Sequence, residues 1–134
     1  MQASIQPMTS AKSTRRAGTI ISALPVLFLL FDGAMKLVQP APVSDAMARL
    51  GYPASLSPVL GVMLLACLGL YVFPRTAVLG AILLTGYLGG AVTTHLRIGD
   101  GLFTLLFPVI IGGLIWGGLL LREARLRALL PLRG

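Results

Sequence analysis

LFTLLFPVIIGGLIWGGLLL, residues 102–121, settles the fold class, because it runs for the width of a membrane without one charged side chain. A helix needs about 20 apolar residues to cross the hydrocarbon core of a bilayer. The run does not alternate polar and apolar residues, as the strand of a membrane barrel would. It therefore predicts a membrane-spanning α-helix.

Three further runs of the same kind precede it, at residues 17–37, 57–73 and 76–96. All fall within the usual range of about 17–25 residues, the second only just. Backbone groups in hydrocarbon must be bonded within their own segment, which favours helices. The sequence predicts an all-α fold, a membrane-spanning four-helix bundle that forms a single domain over residues 17–134. Residues 1–16 are polar and are expected to form a cytoplasmic tail.

The composition agrees with a membrane protein. Of the 134 residues, 56% are hydrophobic and only 11% are charged. Soluble domains carry about 25% charged residues. A soluble fold of this composition would expose large apolar patches to water.

The cations favour one orientation in the membrane. The formal net charge is +7, and one side collects Lys12, Arg15, Arg16, Arg75, Arg122, Arg125, Arg127 and Arg133. The other side collects only Lys36, Arg49 and Arg97. Positive charge favours the cytoplasmic side, so both termini are predicted to be cytoplasmic. With arginine so much commoner than lysine, we expect a bacterial cytoplasmic (inner) membrane.

Two alternatives for the basic segments carry less weight. Three cations precede the first apolar run and four follow the last, which is typical of membrane proteins and less so of nucleic-acid binding. Such basic ends also attract anionic lipid headgroups. The basic N-terminal stretch before an apolar run also has the order of a signal peptide. However, that run continues through Asp32 to Lys36, and three more runs follow.

The loop between the first two runs, residues 38–56, contains the segment VSDAMARLG. Ser44 is predicted to cap a short helix and Gly51 to end it. Met47 and Leu50 would share one face, so this helix is expected to lie on the membrane surface.

Glycine spacing suggests how two of the helices pack. Small residues let membrane helices approach closely. The third run has Gly86 and Gly90 four residues apart, and the fourth has Gly113 and Gly117. We expect these two helices to touch along their glycine faces, although glycine is also common in membrane helices without such a role.

Asp32 and Lys36 are the charges that lie well inside a predicted span. Their spacing places both on one helical face. Intramembrane charges cost about 2.5–3.5 kcal/mol on insertion scales and usually face the bundle interior or a cavity. Two interpretations remain open: a structural ion pair, or a site for a ligand or a proton.

His95, near the outer end of the third run, is followed by Arg97 and Asp100. The predicted orientation brings these residues to the same level as Asp32 and Lys36. Together they could bind the polar headgroup of a quinone or pass a proton. The alternative is an interfacial histidine that contacts lipid headgroups.

Other chemistries find little support in the sequence. One histidine and one cysteine, Cys67, give no metal-ligand spacing and no bis-histidine haem site. Phosphate-binding, dinucleotide-binding and hydrolase motifs are absent from the sequence. We therefore predict no metal and no haem, and we expect the isolated chain not to be an enzyme.

Several stretches together resemble the DoxX-like family of small membrane proteins. They are DGAMKL (32–37), APVSDAMARLGYP (41–53), PRTAVLGAILLTGYLGGA (74–91), THLRIGDGLFTLLFPV (94–109) and WGGLLLR (116–122). The resemblance covers about residues 17–131. It implies a four-helix bundle and, from some relatives, an association with respiratory or thiol redox systems.

We expect an accessory subunit, or one that binds a quinone or another small molecule, in a redox-linked membrane system. Its partners would be the lipid bilayer and subunits of a membrane redox complex. One alternative is a small transporter or channel subunit, which would act as a homo-oligomer because four spans are few for alternating access. Another is a purely structural membrane partner without a ligand.

Overall fold

The computed structural model describes residues 6–129 and contains six helices in that part of the chain. Their bounds are α1 Gln6–Val38, α2 Ala41–Arg49, α3 Leu56–Val72, α4 Ala77–Arg97, α5 Leu102–Arg122 and α6 Ala124–Leu129. The all-α prediction is confirmed. Three helices are long and apolar enough to cross a membrane, and α3 is a shorter apolar helix of 17 residues.

The four apolar helices form a bundle in which each packs against two neighbours. α1 and α4 each contact both α3 and α5, so α1 and α4 lie on a diagonal. Short connections make neighbours antiparallel. The interior holds leucine, isoleucine and alanine side chains with Tyr71 at one end. Many large apolar side chains point outward instead, for example Phe31 and Phe103, as expected for surfaces that face lipid.

The bundle has two distinct ends. The basic end holds the first half of α1, the last turns of α3 and α5, the first turn of α4, and α6. The cavity end holds the last half of α1, all of α2, the start of α3 and α5, and the last half of α4.

Tyr71 organises the basic end. Its side chain is 1% exposed, and its hydroxyl donates to the carbonyl of Ile115 at 2.7 Å. The same hydroxyl lies 2.9 Å from the Oγ of buried Ser22. These bonds join α1, α3 and α5 and give the buried hydroxyls of Tyr71 and Ser22 partners, as a low-dielectric interior requires.

Close helix contacts at the basic end depend on glycine. A Cβ at Gly118 would lie 2.1 Å from Ser22 Oγ, and one at Gly18 would lie 2.7 Å from the Gly118 carbonyl oxygen. A Cβ at Gly80 would lie 2.3 Å from the Tyr71 nitrogen. Backbones therefore meet at α1–α5 and α3–α4, the small-residue packing expected in membranes.

The predicted glycine contact between α4 and α5 is wrong in its residues. These helices do pack against each other, but a Cβ at Gly86, Gly90, Gly113 or Gly117 would meet nothing within 4 Å. Trp116 instead donates to Thr85 across this interface at 2.6 Å. The i, i+4 spacing identified a helix face correctly and could not identify what that face meets.

Two boundary predictions also need correction. α1 begins at Gln6, so residues 6–16 continue the first helix and do not form a separate tail; residues 1–5 and Arg133 lie outside the described residues. α2 begins at Ala41 after Pro40, without a side-chain cap from Ser44, because a proline in the first turn suits a helix start. Gly51, with φ +81°, does end it as predicted.

Candidate functional site

A cavity of about 610 Å³ lies at the cavity end, bounded by α1, α3, α4 and α5 and by the α2 segment. Its volume is typical of small-molecule sites, which range over about 300–1,000 Å³. Some wall residues, including Gly90 and Met63, are exposed on the outside of the bundle. The cavity is therefore partly open toward the surface that faces lipid.

Asp32 and Lys36 line this cavity from α1. Lys36 Nζ donates to Asp32 Oδ2 at 2.5 Å, and both side chains are partly buried. The Lys36 carbonyl accepts a bond from Ser57 at the start of α3, which holds this turn of α1 against α3. Because an ammonium has three donors, the ion pair leaves Lys36 with N–H groups for a ligand.

His95 lines the same cavity from α4. Its Nδ1 lies 2.5 Å from Oδ2 of Asp100, in the turn between α4 and α5. Arg49 of α2 also donates to Asp100, at 2.7 Å and 3.2 Å. The hydrogen bonds from Arg49 and then from His95 hold the pKa of Asp100 at about 2, below its ordinary 3.8. Asp100 is therefore a carboxylate at neutral pH.

Arg97 has a different role from the one predicted. It does not line the cavity; it donates to the carbonyl of Leu50, at the end of α2. Tyr52 adds a second tie, because its hydroxyl lies 2.7 Å from the Thr94 hydroxyl of α4. With the Arg49–Asp100 ion pair, these contacts hold α2 over the cavity, and Met47 is buried there.

The remaining cavity walls are mostly apolar. Phe28 of α1 and Phe107 of α5 meet edge to face with centroids 4.9 Å apart. Tyr87, Leu60 and Ile111 complete this part of the wall. The polar groups are few beside this apolar surface, an arrangement that suits a ligand with a polar head and an apolar body.

No group of three or more His, Cys, Asp or Glu side chains gathers within residues 6–129 in a way that could hold a metal ion. Cys67 is a free thiol on α3. The donors in the cavity are an ammonium, a carboxylate, an imidazole and hydroxyls, which recognise the oxygen atoms of an organic ligand by hydrogen bonds.

Comparison with protein families supports the resemblance of the sequence. A model of the DoxX-like family matches residues 20–118, well over half of the chain. The protein belongs to the DoxX-like family. Curated proteins and solved structures gave no significant match. The stretch matched by the DoxX-like model contains the whole cavity, including Asp32, Lys36 and His95, whereas Arg122 and α6 lie beyond it.

The sequence pointed to part of this DoxX-like site. Asp32, Lys36 and His95 line one cavity, with Thr93 and Thr94 beside them. It did not point to the aromatic walls, because Phe28, Tyr87 and Phe107 look like ordinary members of apolar runs. Arg49 was also missed as a partner of Asp100, since the two are 51 residues apart. A lone arginine in a short amphipathic helix gives no signal of its partner.

Proposed function

We propose that this DoxX-like protein binds a membrane-soluble small molecule with a polar ring, of the quinone class, as an accessory subunit of a redox-linked membrane system. One observation carries the proposal: Asp32, Lys36 and His95 line a single, largely apolar cavity. A ring oxygen would accept from Lys36, and the aromatic walls would contact the ring. A prenyl or alkyl tail would leave through the open side.

The cavity favours this proposal over a purely structural ion pair. An Asp–Lys pair that only neutralises its own charges within α1 needs no space beside it, and void space weakens packing. Here the pair lies on the wall of a cavity that is wide enough for a small molecule. The opening toward lipid also favours a ligand that arrives through the bilayer.

For the setting we propose a bacterial inner membrane, four crossings, and both termini in the cytoplasm. The support is the charge distribution: Lys12, Arg15, Arg16, Arg75, Arg122, Arg125 and Arg127 all belong to the basic end. A reporter that matures only outside the cytoplasm, fused after Gly134, is expected to stay silent. A bright reporter would contradict the proposed orientation and place the C-terminus outside the cytoplasm.

Adjacent glycines on α4 offer a matched test of ligand binding. A Cβ at Gly89 or at Gly90 would meet nothing within 4 Å, yet Gly90 lines the cavity and Gly89 does not. Gly90→Leu should fill the ligand space, whereas Gly89→Leu adds the same side chain outside it. In nanodiscs, binding of a decyl-substituted benzoquinone should weaken at least tenfold in the first variant and stay unchanged in the second.

Native mass spectrometry of the protein extracted gently from its own membrane provides the second measurement. We expect a retained quinone or another lipid-soluble molecule, together with any redox subunits that copurify. Absence of quinone binding in both experiments, or equal binding by the two glycine variants, would refute the proposed site.

A further inference from the structure

The contacts of Asp100 determine which nitrogen of His95 carries a proton. Asp100 receives hydrogen bonds from Arg49 on one side and faces Nδ1 of His95 on the other. A carboxylate can only accept hydrogen bonds. The 2.5 Å contact with Nδ1 therefore requires a proton on that nitrogen.

A neutral imidazole has one N–H and one acceptor nitrogen. With the proton on Nδ1, Nε2 is the acceptor. The structure records no partner for Nε2 among the described residues, and His95 lines the cavity while Asp100 does not. Nε2 is thus the nitrogen available to a bound molecule, as in sites where a second group sets the histidine tautomer.

We propose that His95, oriented by Asp100, presents Nε2 to the cavity as a hydrogen-bond acceptor, so that the site prefers a hydroquinone over the corresponding quinone. This inference rests on the proposed function and names the form of the ligand. A hydroquinone hydroxyl can donate to Nε2, whereas a quinone carbonyl would bring two acceptors together.

The other polar groups bind both forms. Lys36 can donate to a carbonyl oxygen or to a hydroxyl oxygen, so it supplies affinity without distinguishing the oxidation states. His95 supplies the difference. One net hydrogen bond corresponds to a preference of about tenfold. Asp100 acts through His95 and is a positioning residue.

The chain contains one histidine, so the tautomer can be measured without mutation. Protein labelled with ¹⁵N-histidine, and purified with a tag that lacks histidine, gives one pair of ring-nitrogen signals. We expect a protonated Nδ1 and an unprotonated Nε2 in long-range ¹H–¹⁵N correlation spectra. A protonated Nε2, whether in the other tautomer or in the imidazolium, would overturn the proposal.

Selective binding gives the functional readout. Dissociation constants are measured in nanodiscs for a decyl-substituted benzoquinone and for its hydroquinone under anaerobic conditions. The unaltered protein should bind the hydroquinone about tenfold more tightly. His95→Phe should remove the preference, and the quinone should still bind.

Asp100→Asn tests the positioning role more sharply. Arg49 should retain the amide oxygen, which turns the amide NH₂ toward Nδ1. Nδ1 then accepts, Nε2 gains the proton, and the preference should shift toward the quinone. Asp45→Asn is the matched control, because Asp45 is an exposed carboxylate of α2 that does not line the cavity. It should keep the original preference.

The outcomes separate the two proposals. If the unaltered protein binds the quinone as tightly as the hydroquinone, or more tightly, the tautomer proposal fails and the binding site stands. If neither form binds, the proposed function fails as well. If Asp100→Asn folds and keeps the hydroquinone preference, Asp100 does not position His95.

Discussion

The two ends of the bundle use the same kinds of residue in opposite ways. At the basic end, Gly18 and Gly118 allow backbones to touch, and Tyr71 closes the interior. At the cavity end, Gly86 and Gly90 of α4 border empty space, and the close contact there is between α1 and α3, where a Cβ at Gly61 would lie 2.9 Å from the Gly33 carbonyl oxygen. Three of the four acidic residues, Asp32, Asp45 and Asp100, also belong to this end.

The difference lies on α4: its start packs closely against α3 through Gly80, whereas its last half leaves room for the cavity. Close backbone contact and the hydrogen bonds of Tyr71 hold α1, α3 and α5 together at the basic end. We expect these contacts to support the bundle while the opposite end keeps a cavity, a partly buried ion pair and a histidine, which are unfavourable for packing. Ligand sites are commonly supported by a rigid scaffold in this way.

The largest expected loss of stability comes from a substitution at Gly118 of α5, and the neighbouring Gly117 provides the comparison. Gly118→Ala places a Cβ 2.1 Å from Ser22 Oγ, whereas Gly117→Ala meets nothing within 4 Å. Overpacking typically costs about 1–3 kcal/mol, and this contact should reach the upper end because the Cβ would also lie 2.8 Å from the Ser22 backbone nitrogen. Gly117→Ala should be neutral or slightly stabilising, because alanine favours helices. Unfolding followed by circular dichroism in mixed detergent micelles measures both; equal stability would contradict the close contact.

A smaller effect is expected from removing the Tyr71 hydroxyl. Tyr71→Phe leaves Ser22, which is 5% exposed, without this partner. An unsatisfied buried polar group costs about 1–3 kcal/mol. Tyr52→Phe is the control at the cavity end, where the lost bond to Thr94 is only partly buried. The same measurement should show a clearly smaller loss in the free energy of unfolding for Tyr52→Phe than for Tyr71→Phe. The reverse order would contradict the greater importance of the Tyr71 hydroxyl.

The smallest expected effect is the pH dependence of the tie between α2 and the α4–α5 turn, which is the Arg49–Asp100 ion pair. The pKa of Asp100 is lowered from 3.8 to about 2 in the folded protein. The tie therefore contributes fully above about pH 4, and its contribution is lost as the pH falls through about 2. The protection of the α2 amides, expressed relative to the intrinsic exchange rate at each pH, should fall over this range before that of α1, α3, α4 and α5.

Asp100→Asn provides the control for this pH dependence. The variant replaces the ion pair with a weaker neutral contact and has no titrating carboxylate. Protection in α2, relative to the intrinsic exchange rate, should therefore be lower at neutral pH and should change little between pH 4 and pH 2. Identical pH profiles of α2 protection in the variant and the unaltered protein would show that a group other than Asp100 causes the pH dependence.

Much of the candidate site followed from chemistry that is rare in membrane helices. Asp32 and Lys36 stand out because charge in hydrocarbon is unfavourable, and His95 is the single histidine. Their depth along the helices follows from counting residues within each run. The aromatic wall and the Arg49–Asp100 pair did not follow, because they depend on how α1, α2 and α5 face one another.

The amino-acid sequence alone was enough for the helical class, the apolar segments, the end of α2 at Gly51 and the level at which the polar residues lie. Each depends on local composition and spacing, read against the width of a bilayer. The tertiary structure decided which glycines touch a neighbour, where the cavity lies, and that Arg97 ties down α2 and does not enter the cavity. These properties depend on the rotation of each helix about its axis, and that rotation is set by packing against the other helices.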